Sequence, residues 1–288
     1  VTYSFGAVSY DFTSRARIMG IVNVTPDSFS DGGSFNDPGR AVEHALRLVD
    51  EGADFLDVGG ESTRPGAVPV TPEEEAARVL PVIRALSART GIPISVDTRN
   101  ARVAEAALGA GACIVNDVSG LRHDPRMAGV IGEGGATAVV MHMRGTPATM
   151  QDNPVYGDLV GEITAFFREG VSLAAGAGVG QIILDPGIGF GKTPGHNLEL
   201  LARLGEFASL GYPVMAGPSR KAFIGAILGL PVGERLEGTI GASVVAVLNG
   251  ARILRVHDVR QVARAVRVAE AIQEHDGARQ REPWNYSG

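Results

Sequence analysis

Residues 92–117 read IPISVDTRNARVAEAALGAGACIVND, and they hold one complete strand–helix–strand unit. The apolar run from Ile92 stops on Asp97. A helix-like segment starts near Asn100 and ends at Gly109-Ala110-Gly111-Ala112. A second apolar run from Cys113 stops on Asn116 and Asp117. Glycine just past a helix takes the left-handed backbone that other residues avoid, so these glycines mark the helix end. Both runs are continuous rather than alternating, which is what strands covered by helices on both faces require. Two strands joined through a helix lie parallel.

Outward from this unit, the same design recurs. Apolar runs ending in polar or charged residues are Ile18–Asn23, Phe55–Asp57, Ile92–Asp97, Cys113–Asp117, Thr137–His142, Ile182–Asp185, Val214–Ser219 and Ile253–His257, eight in all. Each precedes a loop and a helix-like segment, with helix starts near Pro38, Thr71, Asn100, Asp124, Tyr156, His196, Arg220 and Arg260. The first of these helices runs through about Asp50. Thr71-Pro72-Glu73-Glu74 is an N-terminal signature, with a capping hydroxyl, proline at the first helical position and acids in the first turn. Gly52-Ala53 and Gly250-Ala251 repeat the helix-end signal. The pattern predicts an α/β fold: a single (β/α)8 TIM barrel over residues 18–276. The hairpin-like stretch YSFGAVSYDF (3–12) gives it a short N-terminal extension, 1–17, that closes the bottom. Residues 277–288 read as a mobile tail. An open doubly wound sheet is the rival, but eight units and the lack of a Gly-rich turn after the first run argue against it. In a barrel all eight polar ends meet on one rim, where such barrels keep their active sites.

Composition narrows the function classes. The chain has 288 residues, 44% of them hydrophobic, and a net charge of −6 with no basic block. Nucleic-acid binding therefore has no electrostatic footprint. No apolar stretch approaches the roughly 20 residues of a membrane span. The stretch Val1–Arg17 lacks the basic-then-apolar order of a signal peptide. The single cysteine, Cys113, reads as a small buried hydrophobe and fits a reducing, cytoplasmic setting. Of 26 Lys+Arg residues, only Lys192 and Lys221 are lysines. Lysine is a compact ammonium with three rotatable donors, not a planar fork, so a lysine kept against this arginine bias suggests a task arginine cannot do. Lys221 reads as functional. At Lys192 a surface lysine fits equally well.

Several rim residues suit chemistry. Asp97, Asn116 and Asp185 end runs three, four and six. They read either as rim groups hydrogen-bonded to loops or as a recognition set for a flat, nitrogen-rich heterocycle. A carboxylate accepts two parallel N–H bonds from a 2-amino-pyrimidinone edge, and an amide both donates and accepts. Lys221 adds a donor to a ring carbonyl or nitrogen. Arg255 and His257, at the end of run eight, suit an anion at the usual phosphate position of the barrel, or form a rim salt bridge. Asn23 and Thr63 suit a metal ligand and a phosphate contact, the metal being a hard Mg²⁺ that keeps waters or substrate phosphates. Met141 reads as core packing or as cover for a planar ligand, and His142 as a satisfied rim histidine or a ligand. Gly187–Thr193, GIGFGKT, imitates a phosphate loop, but Pro186 stands where that motif needs glycine. No zinc or Ser–His–Asp spacing is present.

Taken together, Gly20–Gly33 (GIVNVTPDSFSDGG), Asp57–Ala67 (DVGGESTRPGA), SVDT (95–98), NDVSG (116–120), MHM (141–143), DPGIGFGK (185–192), SRKAFIG (219–225) and RVHDV (255–259) resemble the dihydropteroate synthases, in that family's order. The resemblance implies condensation of 6-hydroxymethyl-7,8-dihydropterin diphosphate with p-aminobenzoate, giving 7,8-dihydropteroate and pyrophosphate through a pterin cation. It implies that Asp97, Asn116, Met141, Asp185, Lys221 and Arg255 hold the pterin. Asn23, Thr63, Arg64, Arg255 and His257 would take the pyrophosphate, with Mg²⁺ on Asn23. Phe29, Pro65, Ser219 and Lys221 would line the aminobenzoate pocket, where sulfonamides compete. Asp97, Lys221 and Arg255 would be the catalytic set. A homodimer acting on small-molecule substrates is implied as well. Pro218 departs from the small residue more usual before Ser-Arg-Lys. A corrinoid-linked methyltransferase and a silent pterin-binding paralogue remain as alternatives.

Overall fold

The computed structural model describes residues 1–25, 38–62 and 70–279. A hairpin, β1 (Thr2–Phe5) and β2 (Val8–Asp11), precedes the first barrel strand, β3 (Arg17–Asn23). Strands β4 (Phe55–Gly59), β5 (Ile94–Asp97), β6 (Ile114–Asp117), β7 (Thr137–Met141), β8 (Gln181–Asp185), β9 (Met215–Ala216) and β10 (Ile253–Val256) follow. All neighbours pair in parallel in the order β8-β7-β6-β5-β4-β3-β10-β9. A parallel bridge between Leu184 and Val214 joins the two ends and closes the cylinder. The expected barrel and hairpin are both present.

Helices α1 (Pro38–Asp50), α2 (Pro72–Ser87), α3 (Ala101–Gly109), α4 (Met127–Glu133) and α5 (Leu159–Gly176) each link successive strands. The later connections differ from the one-helix pattern expected. Between β8 and β9 lie α6 (Pro194–Ala202) and α7 (Leu204–Ala208), and between β9 and β10 lie α8 (Ala222–Leu228) and α9 (Leu236–Leu248). Helix α10 (Val259–Arg279) runs past the expected barrel end at 276, and 280–288 lie outside the described residues. At α2 the Thr71 hydroxyl accepts from the Glu74 amide while the Glu74 carboxylate accepts from the Thr71 amide, a reciprocal cap. Gly52, Gly111 and Gly250 have φ of 104°, 113° and 104°, as their helix-ending role requires.

Side chains alternate across each strand, and this sorts the core into two layers. Along β5, Ile94 and Val96 join the large apolar layer under the helices, as do Leu56 and Val58 of β4 and Ala138 and Val140 of β7. The inward set starts apolar at the foot: Met19, Phe55, Ile114, Val139, Ile183, Met215 and Ile253 form one cluster with Tyr3, Phe5 and Phe12 of the N-terminal segment. The hairpin is thus the floor of the barrel. Phe5 meets Phe55 edge-on at 5.1 Å, and the Tyr3 hydroxyl donates to the Ile182 carbonyl. Cys113 packs against this cluster but is only partly buried. One step higher on the same faces the inward residues turn polar.

Candidate functional site

Just above the apolar floor, strand alternation brings Asp57, Asp97, Asn116, Asp185 and Arg255 to the inside of the cylinder. Asp97, Asn116, Met141, Asp185, Lys221 and Arg255 line one cleft, together with Val118, Ile188, Phe190 and Gly217. All the side chains that the sequence assigns to a pterin therefore share one cleft.

Arg255 ties the strands together across the barrel mouth. Its Nε donates to Asp57 Oδ2 at 2.6 Å, and its Nη2 donates to Asp97 Oδ2 at 2.7 Å. Burial opposes its charge, but the two carboxylates outweigh that and push the guanidinium pKa up. Burial likewise pushes Asp97 up to about 7, with Arg255 pulling it down and Asp57 raising it further. Asp185 is raised too, chiefly by burial, against the Gly187 amide that donates to its Oδ1 and the nearby Lys221 charge. Asn116 donates through Nδ2 to Asp57 Oδ2 at 3.0 Å. Its Oδ1 is buried with no partner among the described residues. An unpaired buried carbonyl costs about 1–3 kcal/mol. A ligand N–H in the cleft removes that cost.

Asp57 is fully buried and holds both Asn116 and Arg255, yet sequence reasoning did not place it in the site. The signal existed, because it ends the second apolar run as Asp97 ends the third. The adjacent pair Asn116 and Asp117 divides its work. Asp117 points the other way and caps its own loop, accepting from the Ser119 and Leu121 amides and the Ser119 hydroxyl.

Lys221 stands over the Phe190 ring, with Nζ 4.0 Å from the centroid. Its backbone is set by Arg220, whose φ of 55° is unusual for a side chain other than glycine. Such a conformation costs about 1–3 kcal/mol and persists only where neighbours over-determine it. Here a two-pronged pairing to Asp258, at 2.6 and 3.0 Å, and an Arg220 amide bond to the Thr239 hydroxyl hold it. On one side of Arg220, Ser219 Oγ meets His257 Nδ1 at 2.9 Å, so these two predicted residues are a hydrogen-bonded pair. Burial, then Arg255 and Arg220, push His257 down to about 3, leaving a neutral imidazole.

Asn23 closes β3 at the rim and is partly buried. Among the described residues no group of three His, Cys, Asp or Glu side chains is placed to hold a metal. Phe29, Thr63, Arg64 and Pro65 lie outside the described residues. Lys192, which fitted a surface lysine, is instead 3% exposed. Burial pushes its pKa down to about 7, against the raising effect of Asp185. His142 lies beside it as a buried, neutral histidine, pushed down to about 2 by burial and then by Lys192.

The profile of the family described as pterin binding enzyme matches residues 19–257. The dihydropteroate synthase of Synechocystis sp. is 48% identical over 270 residues, covering 93% of this chain and 93% of that protein. The Yersinia pestis dihydropteroate synthase, solved with a sulfonamide drug complex, aligns with a TM-score of 0.90 at 40% identity, covering 95% of this chain and 100% of that one. The Xanthomonas albilineans dihydropteroate synthase, solved with 4-aminobenzoic acid, has a TM-score of 0.87 at 46% identity, covering 92% of this chain and 95% of that one. With an inward ring of pterin-suited side chains and relatives this similar along nearly its whole length, the chain belongs to the dihydropteroate synthase family of pterin-binding enzymes.

Proposed function

We propose that this chain is a transferase that joins 6-hydroxymethyl-7,8-dihydropterin diphosphate to p-aminobenzoate, releasing pyrophosphate. The observation that carries this reading is the single cleft shared by Asp97, Asn116, Met141, Asp185, Lys221 and Arg255. Its polar groups complement a pterin edge. Asn116 Oδ1 and the Asp185 carboxylate accept ring N–H bonds, and Lys221 donates to the ring carbonyl or a ring nitrogen. Met141 and Phe190 supply apolar cover.

The pyrophosphate end lies toward Arg255 and His257. Loss of pyrophosphate breaks the bond between the methylene carbon and its oxygen, and the electron pair leaves with the diphosphate. The resulting cation delocalises into the ring, and the Asp97 carboxylate stabilises it. The neutral amino group of p-aminobenzoate then forms the new C–N bond through its nitrogen and loses a proton afterwards. Thr63 and Arg64 belong to the diphosphate contacts in this reading, and Phe29 and Pro65 to the aminobenzoate pocket with Ser219 and Lys221.

Magnesium fits as an ion that arrives with the diphosphate. Asn23 offers one hard oxygen, and a small divalent cation that keeps waters and phosphate oxygens needs little more from the protein. When bound it supplies charge neutralisation for the leaving group. No helix of the described residues is long and apolar enough to cross a membrane, and we read the enzyme as cytoplasmic. A homodimer is supported by apolar side chains left exposed on neighbouring helices: Val245 and Leu248 on α9, and Val268 and Ile272 on α10.

The test is pyrophosphate release by purified variants. Removing one preorganised electrostatic contact costs about 10²-fold or more in turnover. Lys221→Met and Asp185→Asn are each expected to fall by that factor with the fold retained. Near-normal rates in both would remove these residues from the mechanism.

A further inference from the structure

Lys192 takes no part in the steps above, yet it is among the most deeply buried charges in the protein, with 3% exposure. Its ammonium has three N–H donors and meets three acceptors. These are the Phe190 carbonyl at 2.9 Å, the His142 carbonyl at 3.3 Å and His142 Nδ1 at 3.0 Å. The match is complete, and it explains a lysine in a chain that otherwise uses arginine. A five-donor planar fork would leave donors without these acceptors. A bond donated by the ammonium to Nδ1 requires the His142 proton on Nε2.

The carbonyls on either side of Phe190 are caught from the segment after β7. Gln151 Nε2 donates to the Gly189 carbonyl at 2.9 Å, and the Tyr156 hydroxyl donates to the Gly191 carbonyl at 2.8 Å. Three successive carbonyls of the loop after β8 are therefore each held by a side chain. The inner side of this loop faces the cleft, where the Phe190 ring underlies the Lys221 ammonium. Gly189, with φ of 84°, lies so close that a Cβ there would come within 2.9 Å of Lys221 Cδ.

We infer that Lys192 is a positioning residue: it fixes the Phe190 carbonyl against His142 and thereby sets the Phe190 ring under Lys221 at the pterin end of the cleft. The inference rests on the pterin-binding reading of that cleft and deepens it. Lys192 is not among the residues that line the cleft. It acts through Phe190.

The experiment is calorimetric binding of a pterin to the full-length protein, with KM and kcat measured alongside, for Lys192→Met, Phe190→Ala and the double variant. Loss of a charge-assisted hydrogen bond predicts about tenfold weaker pterin binding in Lys192→Met. A matching rise in KM for the pterin diphosphate is expected, with a smaller change in kcat. In the Phe190→Ala background the same substitution is expected to add almost nothing, because residues acting as one unit are not additive. Full affinity in Lys192→Met, or an undiminished effect on top of Phe190→Ala, overturns the inference. If Lys192→Met does not fold, Tyr156→Phe loosens the next carbonyl of the same loop. It is expected to weaken binding in the same sense and to lose that effect in the Phe190→Ala background; unchanged affinity overturns the inference. A wild-type protein that binds no pterin refutes the function itself, a result distinct from equal binding by wild type and Lys192→Met.

Discussion

Asp97 shows how burial and charge at one residue set the chemistry of the site. It pairs with Arg255, yet burial and the neighbouring Asp57 leave its carboxyl titrating at about 7 instead of near 3.8. Stabilising a cation needs the ionised form, which is present above that value and lost as pH falls through it. The kcat/KM of the free enzyme is therefore expected to rise with pH through about 7, measured as pyrophosphate release across pH 5.5–8.5, roughly the span needed to see both limbs. A flat profile over that span would mean Asp97 does not act as a carboxylate. Much of the residue-level site was legible, because polar groups that end apolar runs are few and chemically distinctive. Asp57 was passed over because, in strands apolar on both faces, nothing in the run marks which end residue points inward. Asn116 and Asp117 make the same point, since adjacent polar residues face opposite sides and only one lines the cleft. The depth of Lys192 was equally hidden, because its burial depends on a loop contributed by the neighbouring unit.

At the scale of elements, strands and the first helices follow directly from apolar runs, caps and glycines. The limits of α1 coincide with the expected Pro38 and Asp50. The paired helices α8 and α9 were not resolved from sequence, because Leu236–Leu248 is apolar over most of its surface and lacks a clear amphipathic period. Helix α9 buries Thr239, Ser243, Ala246 and Val247 and still exposes Val245 and Leu248, and α10, which packs against it, exposes Val268 and Ile272. A second copy of this chain seated there would cover all four. Equilibrium sedimentation is expected to give twice the chain mass, and Ile272→Asp is expected to shift the population toward one copy. A wild-type protein that stays at a single chain mass at micromolar concentration would rule this interface out.

The whole molecule divides the barrel interior by height. The hairpin and a ring of large apolar side chains fill the lower half, and polar groups from several strand ends occupy the upper half. A packed floor keeps the upper groups in fixed relative positions, so a rigid planar ligand can be read by side chains far apart in sequence. The eight-fold architecture was visible from chain pattern alone, because parallel strands covered by helices leave a repeating signature. The long segments after the first two barrel strands, which carry Phe29, Thr63, Arg64 and Pro65, fall largely outside the described residues. A crystal of the protein soaked with the pterin diphosphate tests the central claim. Density for the ring inside the cleft is expected, with ring nitrogens within hydrogen-bond reach of Asn116 Oδ1 and the Asp185 carboxylate and Lys221 on the ring's polar edge. A ring bound elsewhere, or one that leaves Asn116 and Asp185 untouched, would contradict it.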